Sequence, residues 1–277
     1  MSARRQINEL KAIARELRVD IIDMLLEAGS GHPGGSLSAI DMLTCLYFDL
    51  MRHNPKDPHW PQRDRLILSK GHAVPAVYVC LAKAGYFPKE ELMTLRKIDS
   101  RIQGHPDRVK LPGIEASTGS LGQGLSIAVG LAMASKLDGD AFRVYCMLGD
   151  GETQAGQIWE GLMSAPKFKL DTLVTILDYN KGQIDGPTNE IMSLEPIKDK
   201  VKAFNWHLIE IDGHNYEQIL RALDEAQNVK GKPTFILAQT IKGKGVSFME
   251  GQIGWHGKAP NREQAEQAVK EILAAEN

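Results

Sequence analysis

The chain has 277 residues, 43% of them hydrophobic and 25% charged, the balance of an ordinary folded protein, which excludes disorder and collagen-like repetition. Its 33 basic and 35 acidic residues leave a formal charge of −2, so no overall positive field exists to hold nucleic acid or an anionic membrane. At roughly 150 residues per domain the length fits one large or two small domains, each able to bury a core.

Ile7, Leu10, Ala14, Leu17, Ile21, Met24 and Ala28 alternate steps of three and four, which predicts one long helix with a single apolar stripe, ended by Gly29-Ser30-Gly31. A second helix is expected over 38–50, opened by Ser38 with Asp41 at capping-box spacing. The segment 53–64, HNPKDPHWPQRD, reads as a loop. Beyond it, short apolar runs at 66–68, 142–148, 173–177, 208–211 and 235–238 suit strands buried on both faces. Helical patterns at 74–84, 122–136, 157–168 and 215–227 lie between them, and a terminal helix is expected over 262–275. Alternating strand and helix is the grammar of parallel βαβ units. No repeat, low-complexity tract or Pro/Ser-rich linker breaks it. The expected fold is α/β, a doubly wound, mostly parallel sheet flanked by helices, with residues 1–277 as a single domain. Ligands of such sheets bind where the carboxyl ends of strands meet helix N-termini, which attract anions.

Cys45, Cys80 and Cys146 stand far apart in apolar stretches, neither a disulfide framework nor a CxxC pair, and read as buried thiols of a reducing compartment. The charged N-terminal stretch lacks the apolar block of a secretory signal, and no run of about 18 apolar residues occurs. A cytoplasmic location is expected.

Glycine, histidine and acidic residues gather in five places. In Gly31-His32-Pro33-Gly34-Gly35-Ser36 small residues let backbone approach a ligand and His32 offers a proton relay; a helix-ending turn with an exposed histidine is the plain alternative. Ser69-Lys70-Gly71-His72 leaves a strand and enters a helix, where an anion would be held, or where a solvated lysine and a capping histidine would serve. Gly104-His105-Pro106 lies in a long irregular stretch of the kind that often carries function, or is only a turn. The run Gly119 to Gly124 reads GxxGxG rather than GxGxxG and follows a loop, so a dinucleotide site is a poor inference.

The fourth place carries most. Gly149-Asp150-Gly151 ends one strand, and Asn180 ends the next after 28 intervening residues. A carboxylate, an amide oxygen and nearby carbonyls make a hard-oxygen site for Mg²⁺, with Ca²⁺ as the alternative, completed by diphosphate oxygens. Two ordinary βα turns would look similar. The fifth place is Lys242-Gly243-Lys244-Gly245, followed by Trp255-His256-Gly257, suited to neutralising phosphate or to simple solvation. His53, His59, His207 and His214 have no motif context and are read as loop or core residues. No GxxxxGK[ST] loop is present, which argues against a nucleoside triphosphate enzyme.

The GDG...N pair resembles the thiamine diphosphate signature, and the surrounding words resemble transketolase. GSGHPGGSLS, DRLILSKGHA, GHP, STGSLGQGLS, GDGETQAGQIWE, DYNKGQIDG, IKGKG and WHGKAP occur in family order across nearly the whole chain. The resemblance implies that Asp150, Asn180 and the Gly182 carbonyl hold the metal, and that His72 and the Gly151 amide hold the diphosphate. It places the backbone of Gly119, Ser120 and Leu121 against the aminopyrimidine. Lys70, Gln183, Lys242 and His256 fall near the cofactor, with Gly35 as a backbone contact. His32, His105 and His256 would touch the hydroxyls of the donor sugar, so His32, His72, His105 and His256 are the candidate catalytic histidines.

The family's enzymes are much longer, and their second domain supplies the glutamate that activates the aminopyrimidine, the aromatic rings that cradle it and basic residues for the sugar phosphate. The resemblance therefore implies one diphosphate-binding subunit of a split, thiamine diphosphate-dependent transketolase. Its partner would be a C-terminal subunit bearing the pyrimidine-binding domain, most simply in a heterotetramer, and its substrates ketose and aldose phosphates. Ala155 departs from a family glutamate of the carboxylate network between active sites, while Glu160 matches the next acid of that network. An alanine is also found in the related deoxyxylulose-phosphate synthase. A split enzyme using another ketol donor and a silent cofactor-binding paralogue are the alternatives.

Overall fold

The apolar stripe of Leu10, Ala14, Leu17 and Ile21 is completely buried along helix α1, Ile7–Ala28, in a computed structural model that describes residues 6–275. Gly29 ends α1 in the left-handed conformation at φ 63°, its N–H reaching the carbonyls of Leu25 and Leu26, as a glycine after a helix should. Helix α2 spans Pro33–Cys45 and runs on into a π-turn over Leu46–Leu50. It thus begins five residues before the capping box expected at Ser38. Pro33 opens it, where a missing N–H is harmless and φ is preset. Ser38 is an interior residue whose hydroxyl bonds the Gly35 carbonyl and Asp178 instead. Gly34 is needed for close approach, because a Cβ there would lie 2.9 Å from Lys242 Cγ and 3.0 Å from the Trp255 carbonyl.

The remaining elements follow in order: β1 Arg65–Leu68, α3 Val74–Ala84, α4 Gln123–Asp138, β2 Val144–Gly149, α5 Gly156–Lys167 and β3 Leu173–Tyr179. A two-residue hairpin, β4 Gly182–Gln183 and β5 Gly186–Pro187, leads to α6 Thr188–Met192 and α7 Ile197–Ala203. Then come β6 His207–Asp212, α8 Tyr216–Asn228, β7 Thr234–Gln239 and α9 Arg262–Ala274. The main sheet has the order β1-β2-β3-β7-β6 with every pairing parallel. This is the doubly wound α/β fold. Edge position changes one expectation: β6 is paired on one side only and His207, Leu208 and Ile209 are half-buried, so it is not enclosed on both faces.

Two apolar layers cover the sheet. Met147, Val174 and Ile176 pack with α1, α2, α3, α8 and α9, whereas Cys146, Leu148 and Leu177 pack with α4, α5 and α7. The alternation is the pleat seen from its two sides, and each fully buried Leu or Ile contributes about 1.5–3 kcal/mol. Cys45, Cys80 and Cys146 lie wholly inside these layers. Among the described residues no helix is long and apolar enough to cross a membrane. For the site, register matters most: Gly149 pairs with Asp178 and Asp178 with Ala238. The carboxyl ends of β2, β3 and β7 therefore stop in one row, and the segments leaving them open onto one space.

Candidate active site

That space is a cavity of about 230 Å³ lined by residues of the loops after β1, β2, β3 and β7 and of the first turn of α2. A roomier groove of about 700 Å³ separates α1 from α9, but Leu26, Ala265, Val269 and Leu273 line it with scattered surface charges. The chemistry is in the smaller one. Among the residues singled out from the sequence, His32, Gly35, Lys70, His72, Gly119, Leu121, Asp150, Gly151, Asn180, Gly182, Gln183, Lys242 and His256 all line it. Ser120 does not; it is exposed. His105 stands just outside, its ring 6.4 Å from that of His32.

At the floor, Asp150 is 4% exposed. Its Oδ1 accepts the Gly151 N–H at 2.8 Å and its Oδ2 accepts the Lys181 N–H. Burial pushes its pKa up to about 6, helped by the negative Asp178, against those two backbone donors. Asn180 Oδ1 accepts the Gly182 N–H at 3.2 Å while its Nδ2 donates to Asp178 Oδ2 at 3.1 Å, which fixes which end of the amide is the oxygen. Lys242 Nζ donates to the Gly182 carbonyl at 3.2 Å. Burial first, then the charge of Lys70, lowers its pKa to about 8.

Two carboxylates that were not singled out from the sequence hold this floor together. Asp178, wholly buried, takes bonds from Lys70, Ser38 and Thr240; burial acts to raise its pKa, but Lys70 and the hydroxyls outweigh it and hold it low. Glu152 accepts from Ser69 Oγ at 2.5 Å, the Gly122 N–H at 2.9 Å and the Gly149 N–H at 3.1 Å. It thereby ties the end of β1, the start of α4 and the end of β2. A buried acid needs such partners, so Asp178 at the end of an apolar strand was the sequence signal for the first. Glu152, inside a glycine-rich turn, gave none.

The roof is imidazole. The rings of His32 and His72 are 5.0 Å apart, those of His72 and His256 5.0 Å, and those of His32 and His256 5.6 Å. Burial is the main cause that lowers all three pKa values, to about 4, 2 and 3 for His32, His72 and His256, with Arg96, Lys70 and Lys242 the respective charges next in weight. His105 is lowered too, by burial and then Arg96. The ring carbons of His32, His72 and His256 are therefore expected to show no NMR titration between pH 8 and 5.5. Because the unfolded chain protonates near 6.5, their contribution to stability is complete above that pH and is lost as pH falls toward the folded values. A titration midpoint near 6.5 for any of the three would contradict this.

The geometry suits a cation and a diphosphate. The donors near the floor are a carboxylate, an amide oxygen and a carbonyl, the hard oxygens of Mg²⁺ and Ca²⁺ sites; no group of three His, Cys, Asp or Glu side chains placed to hold a metal by themselves occurs among the described residues. Glycines leave room: a Cβ on Gly151 would lie 2.9 Å from Gln183 Cβ, and one on Gly182 would lie 2.7 Å from Ile253 Cδ1. The buried Nδ1 atoms of His32 and His256 lack a hydrogen-bond partner, as donors or acceptors awaiting a polar ligand would.

Residues 9–276 match the family described as "Transketolase, thiamine diphosphate binding domain". The chain belongs to the transketolase family. A 6-deoxy-6-sulfo-D-fructose transketolase subunit from a Clostridium species is 47% identical over 264 residues, covering 95% of this chain and 96% of that protein. An apulose-4-phosphate transketolase subunit from Phocaeicola vulgatus is 43% identical over 96% of this chain and 95% of its own. Human transketolase is 42% identical over 97% of this chain, which spans only 43% of the human protein. The crystal structure of transketolase from Campylobacter jejuni superposes with a TM-score of 0.92 at 36% identity, covering 97% of this chain and 43% of that one. Membership of the transketolase family makes the chain an enzyme of the transferase class with a thiamine diphosphate-binding domain.

Proposed function

We propose that residues 1–277 form a single diphosphate-binding unit, the N-terminal subunit of a split transketolase. It transfers a two-carbon ketol unit from a ketose phosphate to an aldose phosphate in the cytoplasm, with Mg²⁺ or, less aptly, Ca²⁺. The observation that carries this is the convergence of Asp150, Asn180, the Gly182 carbonyl, His72 and the Gly151 amide on one cavity. The two subunit relatives, matched over nearly their whole lengths, support a separate partner.

In this reading Asp150, Asn180 and the Gly182 carbonyl hold the cation, and Lys242 and the Gly151 N–H hold phosphate oxygens. Bound thiamine diphosphate supplies the electron sink for breaking the bond beside the ketose carbonyl. His72 stays neutral, so it donates or accepts one hydrogen bond without adding charge. His32 and His256, which line the cavity, bind sugar hydroxyls and pass protons between them. A partner bearing the pyrimidine-binding domain covers the mouth, where Leu121 and Ile184 are 44% and 67% exposed, and contributes the activating acid. A second reading keeps the chemistry and changes the donor, because the relatives above are named for a sulfo sugar and for apulose 4-phosphate.

The chain alone, given thiamine diphosphate, Mg²⁺, xylulose 5-phosphate and ribose 5-phosphate, should transfer ketol units only at a trace rate. Adding the pyrimidine-binding subunit should raise the rate by about 10²–10⁴, the range for a missing acid–base group. Full activity from this chain by itself would overturn the split site; a rate restored only with another ketose would select the second donor.

A further inference from the structure

His214 has no place in the cavity, yet it sits in a buried polar cluster behind it. Asp41 of α2, 3% exposed, accepts Arg18 Nη2 of α1 at 2.6 Å and His214 Nδ1 at 2.8 Å on one oxygen, and Tyr216 Oη at 2.5 Å on the other. The second ring nitrogen of His214, Nε2, accepts the Ile241 N–H at 2.9 Å. An accepting Nε2 carries no proton, so the ring hydrogen is on Nδ1 and points at Asp41. Ile241 immediately precedes Lys242, whose ammonium faces the opposite way, onto the Gly182 carbonyl in the cavity. Two residues on, the Lys244 carbonyl accepts Arg18 Nε at 3.4 Å, and between them the Gly243 N–H bonds the Gly34 carbonyl at 3.0 Å. The cluster thus grips both flanks of one short segment from behind.

We infer that His214, oriented by Asp41, is a positioning residue that sets where the Lys242 ammonium stands in the cofactor cavity. The inference rests on the cavity's being a diphosphate site as argued above. Outer partners of this type change ligand affinity by 10–100-fold when lost, because they hold a charged group within a fraction of an ångström. A purely structural cluster would lower stability and nothing else. Tyr216 separates the two cases, since it bonds the same carboxylate and meets Arg18 but donates no hydrogen bond to Ile241 or Gly243, where exchange is read.

The test compares His214→Phe, His214→Gln and Tyr216→Phe in the whole chain. Hydrogen exchange of the Ile241 and Gly243 amides is followed without cofactor, and thiamine diphosphate binding with Mg²⁺ is followed by calorimetry. His214→Phe should speed both amides and raise the Kd about tenfold. His214→Gln, which keeps an N–H for Asp41 and an oxygen for the Ile241 N–H, should restore both to within about threefold. Tyr216→Phe should lower the melting temperature and leave exchange and Kd as in the natural chain. Unchanged exchange in His214→Phe, or a Kd shift in Tyr216→Phe equal to that of His214→Phe, would overturn the inference. Failure of the natural chain to take up thiamine diphosphate would instead overturn the proposed function, and the exchange rates alone would then decide the role of His214.

Discussion

Replacing Lys70 by methionine is expected to cost the chain about 3–5 kcal/mol of folding stability, the range for removing one partner of a buried ion pair. Lys70 and Asp178 are 2% and 0% exposed and bonded to each other. With the ammonium gone, Asp178 keeps only Ser38, Thr240 and the Asn180 amide as donors, too little for a carboxylate in the interior. The double variant Lys70→Met/Asp178→Asn should recover much of the loss, because no charge is then stranded. Denaturant unfolding of both variants checks this. A loss below about 1 kcal/mol in Lys70→Met would mean that the pair is far better solvated than its burial implies.

Asp150→Ala should raise the Kd for thiamine diphosphate with Mg²⁺ by at least about 10²-fold, since it removes the one carboxylate of the hard-oxygen set. The same substitution should not weaken the chain without cofactor at pH 8. The folded pKa of Asp150 is raised to about 6 from 3.8, so the stability tied to its protonated form is fully present below about 3.8 and is lost as pH rises through 6. At pH 8 the ionised group opposes folding by roughly 3 kcal/mol, net of its bonds to Gly151 and Lys181. A ligating carboxylate must also be deprotonated. Cofactor uptake at pH 6 should accordingly release protons, read by calorimetry in two buffers of different ionisation heat, and the natural chain should lose affinity below pH 6. Proton release persisting undiminished in Asp150→Ala would assign it to another group.

Periodicity was enough to read α1 to the residue, because an apolar stripe against an otherwise polar surface has only one helical solution; α3, buried nearly all round, was bounded by its length and by Gly85. Periodicity misread the start of α2, where Gly34 and Gly35 look like breakers; the small size of Gly34 serves contact with Lys242, a tertiary demand invisible in spacing. It also overstated the burial of β6, since an apolar run does not tell an edge strand from a central one. In the site, glycine and histidine words mark the walls of the cavity well. The acids that brace those walls are harder to see. Asp178 reads as the last polar residue of a strand, while Glu152 reaches Gly122 and Ser69, 30 and 83 positions away, and Asp41 reaches His214 and Tyr216, 173 and 175 positions away, so only folding discloses what they hold.

The three thiols, closed off in the two apolar layers, have a practical corollary. Burial drives the pKa values of Cys80 and Cys146 upward, and Cys45 is equally inaccessible, so alkylating dyes find no handle on the intact fold. A cysteine introduced at the exposed Ile184 would then be the sole attachment point for a fluorophore, and its emission would report directly when a second polypeptide seats itself over the cavity mouth.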